Sequence, residues 1–462
     1  MGKMRRFLSM PPVICTLWIA LCFSLTSSVW LSWEYHLMEM VNSGAADLLT
    51  MVAGYLLQAC GTGLAVFLLK KCQERKRLTM VCASFTLFYI LSLPAVLGRT
   101  LFIVIFFGML MNLFCGIIGG FYLFAAARTE AGSRGRVFGC GYAISTVGVY
   151  LLSLAGEGSF LRHKAVTIVY LVLAAACAWT AFPLSAAFRK AAASDAAEPR
   201  KKWSGGIWAT ALATVCLLSV VKNMGFSFPS ADFSAGIYVE LSRIFYAAGL
   251  AAAGFINDRS RKNGAVCTAA ALAIPFVMLA LSGEKVPVLI FWGLSYLLFG
   301  FFSVFRTVVM MDMAVRSDRR ELAPLGLMAG RAGDAAGTAL CIGLGNGRIA
   351  LIFLTLGLFA LTMFLFFRLC QNLYAPETIR QKSEREVFEV FSIQHDLSAR
   401  EKEVLKLVLT EQPNAQIAET LFVSESTVKY HVHNLLQKTG CKSRQELVKK
   451  YNMKLFSPSD QG

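Results

Sequence analysis

Charge is scarce in this chain. Only 16% of its 462 residues are Asp, Glu, Lys or Arg, 56% are hydrophobic and the mean hydropathy is +0.58, which excludes a single soluble domain as the whole molecule. Acid is scarcer than base, 28 residues against 45. The 13 cysteines fall singly, many within apolar stretches and none in a C-x-x-C pair, so they read as small buried apolar residues and not as a disulfide framework or zinc site. No G-x-x-x-x-G-K-[ST], H-E-x-x-H or G-x-S-x-G occurs, and phosphate-loop, zinc-hydrolase and serine-hydrolase chemistry therefore has no motif to rest on. We expect no enzyme and no cofactor or metal. The start "MGKMRRFLSMPPVICTLWIALCF" lacks a clear small-x-small cleavage site downstream, so it reads as a first membrane helix and not as a removed signal.

What the chain has instead is long apolar runs. Stretches of about 20 residues, enough to cross a hydrocarbon core of about 30 Å as helices, recur between Pro12 and Leu369. We place twelve, at 12–33, 47–69, 78–98, 101–127, 137–155, 165–188, 205–227, 235–256, 265–283, 286–312, 324–345 and 349–369. With the N-terminus on the cytoplasmic side, the loops on that side hold 22 Lys and Arg and the opposite loops 5. That asymmetry follows the positive-inside rule, and an even number of crossings returns the C-terminus to the cytoplasm. Much of the +17 formal charge is thus explained by topology.

After Leu369 the pattern changes. The expected organisation is a membrane domain at 1–370, a charged linker at 371–394 and a tail domain at 395–462. Fully extended, the linker reaches up to roughly 70 Å, room enough for a DNA duplex to approach the tail. In the tail, Ser398 with Glu401 has capping-box spacing ahead of the apolar positions Val404, Leu405, Val408 and Leu409. A short helix follows at 414–421. Ser424 caps a third helix that stops at Gly440, and Ser443 with Glu446 opens a fourth. A tight turn between the second and third of four short helices describes a helix-turn-helix domain.

Wound at about 100° per residue, the third helix puts Val428, Val432 and Leu435 on one side. Opposite lie Ser426, Lys429, Tyr430, His433 and Gln437, with Thr427, His431, Asn434 and Lys438 on the flank, where groove-wall phosphates would be. From Ser426 to Lys454 there are seven basic residues and one acid, Glu446, a balance suited to phosphate neutralisation.

These residues carry a resemblance. "LSAREKEVLKLV", "NAQIAETLFVSESTVKYHVHNLLQKTG" and "KSRQELV" together resemble the DNA-binding domain of LuxR-type (NarL/FixJ-like) transcriptional regulators over about residues 395–452. The resemblance implies base-reading positions at Lys429, Tyr430 and His433, phosphate contacts at Thr427, His431 and Lys438, and a dimer contact near Leu447 and Val448. Glu411 and Pro413 depart from the family's usual turn. In the membrane part, "GFINDRSRK" at 254–262 is similar to the G-x-x-x-D-R-x-x-R-K loop of the major facilitator superfamily, whose layout is also twelve helices, whereas "KKCQERKR" in the first half lacks the Asp. The implied fold is all-α, a twelve-helix major-facilitator-like bundle with a four-helix helix-turn-helix tail.

Ionisable residues within the spans are costly in lipid and face cavities or each other: Lys222, Glu240, Arg243, Arg306, Asp312, Arg331 and Asp334. Glu240 with Arg243, and Arg331 with Asp334, are spaced to pair along one helix. Lys222, Glu240 and Arg243 form the expected ligand cavity for a polar or anionic small molecule. Two functions follow. One is a regulator in the bacterial cytoplasmic membrane that senses a small molecule and binds promoter DNA as a homodimer, with membrane lipid and RNA polymerase as further partners. The other is a transporter with a regulatory DNA-binding tail.

Overall fold

The computed structural model describes residues 10–72, 74–154, 166–191, 203–230, 241–273, 285–344, 348–374, 387–410 and 412–456. Internal contacts divide the chain into two compact units, Met1–Cys370 and Gln371–Gly462. Regular structure among the described residues is entirely helical.

In the first unit the helices are α1 (Pro11–Met40), α2 (Gly44–Lys71), α3 (Glu74–Leu97), α4 (Leu101–Ala126), α5 (Arg134–Leu154), α6 (Val166–Ala191), α7 (Gly205–Ser230), α8 (Ser242–Arg259), α9 (Arg261–Ala271), α10 (Lys285–Arg316), α11 (Leu325–Leu344) and α12 (Arg348–Tyr374). Helices dominate because a lipid core offers no partner for a backbone N–H or C=O. Nine of these, all but α8, α9 and α11, are long and apolar enough to cross a membrane. For α8 and α11 the cause is charge. The 18 residues of α8 include Arg243, Asp258 and Arg259. In α11, Arg331 and Asp334 sit among alanines and glycines. The span expected at 265–283 lies partly outside the described residues.

The bundle is apolar on both its inside and its outside. Trp18, Ile19, Phe23, Trp33, Phe88 and Met111 are buried between helices, while Phe102, Trp179 and Ile168 stand 77%, 77% and 65% exposed on outer faces. An outer surface of this kind is solvated by lipid chains. Helices α1–α6 and α7–α12 meet chiefly through α5 against α8 and α2 against α11. Small residues permit the first crossing: a Cβ on Gly135 would come within 2.7 Å of the Gly254 carbonyl oxygen, and one on Gly139 within 2.4 Å of that of Leu250. Backbones this close pack without side chains between them.

The second unit contains a helix at 387–394, here α13, then α14 (Ala399–Leu409), α15 (Asn414–Leu421), α16 (Glu425–Thr439) and α17 (Arg444–Phe456). Val404, Leu405, Val408, Ile417, Val428, Leu435 and Leu447 are fully buried in one core. The end of the segment read from sequence as linker is folded into that core: Phe388 and Phe391 pack edge-on against Tyr451, with ring centroids 6.4 and 5.4 Å apart.

Candidate DNA-binding face and membrane cavity

The tail's helices are held at their ends. Ser398 Oγ accepts the Glu401 N–H at 3.3 Å while Glu401 Oε2 accepts the Ser398 N–H at 2.8 Å, a reciprocal capping box. Glu401 also accepts from the Lys438 ammonium at 2.8 Å, which fastens the end of α16 to the start of α14. Burial pushes the Glu401 carboxyl up, but the bonds from Lys438 and Ser398 outweigh it and hold the group below the usual carboxylate range. Ser424 accepts the Thr427 N–H at 3.2 Å to start α16, and Gly440, at φ 67°, ends it in the left-handed conformation that glycine adopts freely. The second box is half formed. Ser443 Oγ accepts the Glu446 N–H, yet Glu446 reaches the N–H of Lys442 at 2.7 Å instead of that of Ser443.

The departure from the usual turn has a compensation. Glu411 lies outside the described residues, but Pro413 sits at the N-cap of α15 in extended backbone with no side-chain cap. Arg444 spans the turn, donating to the Gln412 carbonyl at 2.5 Å and to Asn414 Oδ1 at 3.3 Å.

With α16 anchored this way, Val428 and Leu435 face the core and Lys429, Tyr430 and His433 face outward. Lys429 is 64% exposed, held 3.0 Å from Glu425 one turn earlier, and Tyr430 is 63% exposed. Thr427 is half-buried, with Oγ1 2.7 Å from Ser424 Oγ. His431 stacks edge-on near Tyr430 at 5.6 Å, with a buried Nδ1 that has no partner among the described residues. Lys438 is different: two of its three N–H donors go to Glu401 and the Asp396 carbonyl. Arg444 and Lys450 are likewise used within the domain, the latter on the Thr439 carbonyl. The seven basic residues counted from sequence are therefore not one free basic face.

In the membrane unit, the charges sort into two clusters. The first joins the halves at one end of α5 and α8. Asp258 accepts the backbone N–H groups of Gly135 and Arg136 at 2.8 Å each, capping α5 from the other half, and pairs with Arg136 and Arg261. Asp312 pairs with Arg134 at 3.0 Å and Arg261 at 2.7 Å. The "GFINDRSRK" loop is thus the hub of this latch. The second cluster centres on buried Asp334, with Lys222 at 2.9 Å, Arg306 at 3.3 Å and Arg331 at 3.6 Å.

Beside it lies a cavity of about 200 Å³ lined by residues of α1, α2, α4, α5, α8 and α11, among them Trp30, Tyr55, Tyr142, Arg243 and Arg331. Of the three residues expected to form a ligand cavity, only Arg243 lines it. Lys222 does not, because a buried ammonium takes the nearest carboxylate, Asp334. Glu240 lies outside the described residues. Arg331, read from sequence only as one half of a helical pair, lines the cavity, as do the aromatics, whose positions no local pattern distinguishes from ordinary membrane packing.

Together these features define a helix-turn-helix DNA-binding domain carried on a polytopic helical membrane bundle. Residues 395–451 match the family described as bacterial regulatory proteins, luxR family. Over 52 residues the chain is 42% identical to the spore germination protein GerE of Bacillus subtilis, covering 70% of that protein and 11% of this one. It is 43% identical over 72 residues to the uncharacterized transcriptional regulatory protein YxjL of Bacillus subtilis and 42% identical over 67 residues to the nitrate/nitrite response regulator NarL of Escherichia coli. It spans only 32% and 28% of their lengths, and the matches take in 16% and 14% of this chain. This chain belongs to the luxR family through its tail. The crystal structure of the human organic anion transporter MFSD10 (TETRAN) superposes with a TM-score of 0.57 over 77% of this chain and 99% of that one at 13% identity. The membrane unit thus has a major-facilitator-like fold.

Proposed function

We propose that this protein is a membrane-bound one-component transcriptional regulator whose bundle binds a small molecule and whose tail binds promoter DNA. The observation that carries the reading is the presence, in one chain, of an outward-facing Lys429–Tyr430–His433 edge on a capped recognition helix and a polar cavity between the halves of a membrane bundle. On DNA, Lys429, Tyr430 and His433 read base edges while Thr427 and His431 meet phosphates, with the remaining donor of Lys438 available to a third phosphate. Two tails bind together as a homodimer, and RNA polymerase is the partner that such a promoter-bound tail would meet.

Switching requires that the ligand distinguish two arrangements of the halves, since equal affinity for both shifts nothing. The Asp258–Asp312 latch is the element that differs between them, and a coupling of about 1–3 kcal/mol would change promoter affinity by roughly 5–150-fold. The loops bearing this latch are on the basic side, which makes it the cytoplasmic side of a bacterial membrane. A reporter fused after Leu369 is then active only as a cytoplasmic fusion.

The test is transcript profiling across small molecules in cells carrying the full chain, the chain lacking residues 387–462, or Lys429→Ala. A promoter response that needs both the tail and Lys429 supports the reading. The same response in all three strains overturns it. Likeness to a transporter favours a second reading, transport with a regulatory tail, which predicts uptake of the same molecule by reconstituted protein.

A further inference from the structure

We infer that the cavity's ligand is a small aromatic carboxylate, its carboxylate on Arg331 and its ring among Trp30, Tyr55 and Tyr142. This rests on the reading above that the bundle takes a small molecule. Arg331 is the starting point. Its guanidinium lies 4.6 Å over the Tyr55 ring, and its Nε is buried without a partner among the described residues. Among the described residues its one ion pair is the 3.6 Å approach to Asp334, longer than a hydrogen bond. Asp334 is already held more closely by Lys222 and Arg306. A largely buried guanidinium with its donors unused is costly, and a planar carboxylate is the group that satisfies its paired N–H groups two at a time.

Charge points the same way. The cavity is lined by two arginines and, among the described residues, by no acid. Asp334 stands outside the lining, and among the described residues three cations, Lys222, Arg306 and Arg331, share it. A cationic ligand is repelled here, and a neutral one leaves the charge of Arg331 uncompensated.

Shape sets the rest of the molecule. An apolar cavity of about 150 Å³ holds benzene, so about 200 Å³ holds one ring with a short acidic arm. Trp30 and Tyr55 lie nearly parallel with centroids 6.0 Å apart, and Phe23 stacks on Tyr142 at 4.0 Å. These rings offer faces and edges to an aromatic guest.

The experiment is calorimetric titration of the full chain in nanodiscs with phenylacetate, phenylacetamide, benzylamine and hexanoate. Phenylacetate should bind, and the other three about tenfold more weakly or worse. Arg331→Gln should lose the preference for acid over amide, and Tyr55→Leu the preference for phenylacetate over hexanoate. Because Arg331→Gln touches the Asp334 cluster, its melting temperature is compared with wild type, and Tyr55→Leu supplies an independent reading. Amide binding as tight as acid, tighter binding of benzylamine, or no binding of phenylacetate by natively melting protein overturns the ligand class. Phenylacetate binding with no effect on any promoter upholds the ligand class and overturns the sensor reading. A promoter response to a neutral or cationic molecule does the reverse.

Discussion

Glu401→Gln tests how the DNA-reading helix is fastened. The wild-type carboxylate is 3% exposed and accepts two bonds of 2.8 Å, one from the Ser398 N–H and one from the Lys438 ammonium. Glutamine keeps the shape and an acceptor oxygen but removes the carboxylate charge, leaving the Ser398 bond neutral and the Lys438 bond charged on the donor alone. A hydrogen bond to a charged group contributes about 1.5–3 kcal/mol and a neutral one about 1 kcal/mol. Lys438 is 38% exposed, so solvent screens its share, and the net loss should be about 1–2 kcal/mol. In a tail of this size each kcal/mol moves Tm by about 4–8 °C, so a fragment of residues 387–462 should melt roughly 5–15 °C lower. The pH dependence has a definite sign. Because the folded-state pKa is depressed, the contribution is complete above the ordinary glutamate value of about 4.3 and disappears as pH falls through the folded value. Circular-dichroism melts of both fragments from neutral pH into acid should therefore converge. A Tm gap that does not narrow at all as pH falls below the ordinary glutamate value of about 4.3, or no gap at neutral pH, would refute this account. Discrimination between operator and random DNA measured in the cold should stay within about twofold, since Glu401 is away from the reading edge.

Three further substitutions probe other parts of the molecule. Lys429→Ala should cost about 1–3 kcal/mol at the specific operator and less on random DNA, and equal losses on both in a binding assay would contradict the assigned reading face. Asp258→Asn removes charge from a group 4% exposed that caps α5 and pairs with two arginines. Hydrogen exchange in the peptide 131–138 should then accelerate at least about tenfold, and unchanged protection would remove the latch from the mechanism. Phe391→Ala should cost the tail about 3–5 kcal/mol in denaturant melts, whereas a negligible change would return residues 387–394 to the linker.

How legible each part was depends on the sequence distance over which its physics acts. The recognition helix is local: Ser424, Gly440 and the Val428–Leu435 stripe lie within one short stretch, so caps and period reveal both its ends and its faces. Most of the membrane helices declare themselves by run length alone. The latch is hidden because Arg134 and Asp312 are 178 residues apart and neither is unusual locally. What points to such a partnership is cost, since a carboxylate near the end of an apolar helix needs a cation from elsewhere. Cost alone does not choose the partner, and this explains the fate of the expected cavity. Sequence puts Lys222 at the cavity and pairs Arg331 with Asp334, whereas packing places Lys222 and Arg306 tightly on Asp334 and leaves Arg331 over Tyr55 at the cavity wall. Phe388 and Phe391 were obscured by the opposite effect, two aromatics in a segment whose charges read as solvated linker. The functional consequence is that the stretch joining bundle to tail is shorter than composition suggests, because its last turns are already core.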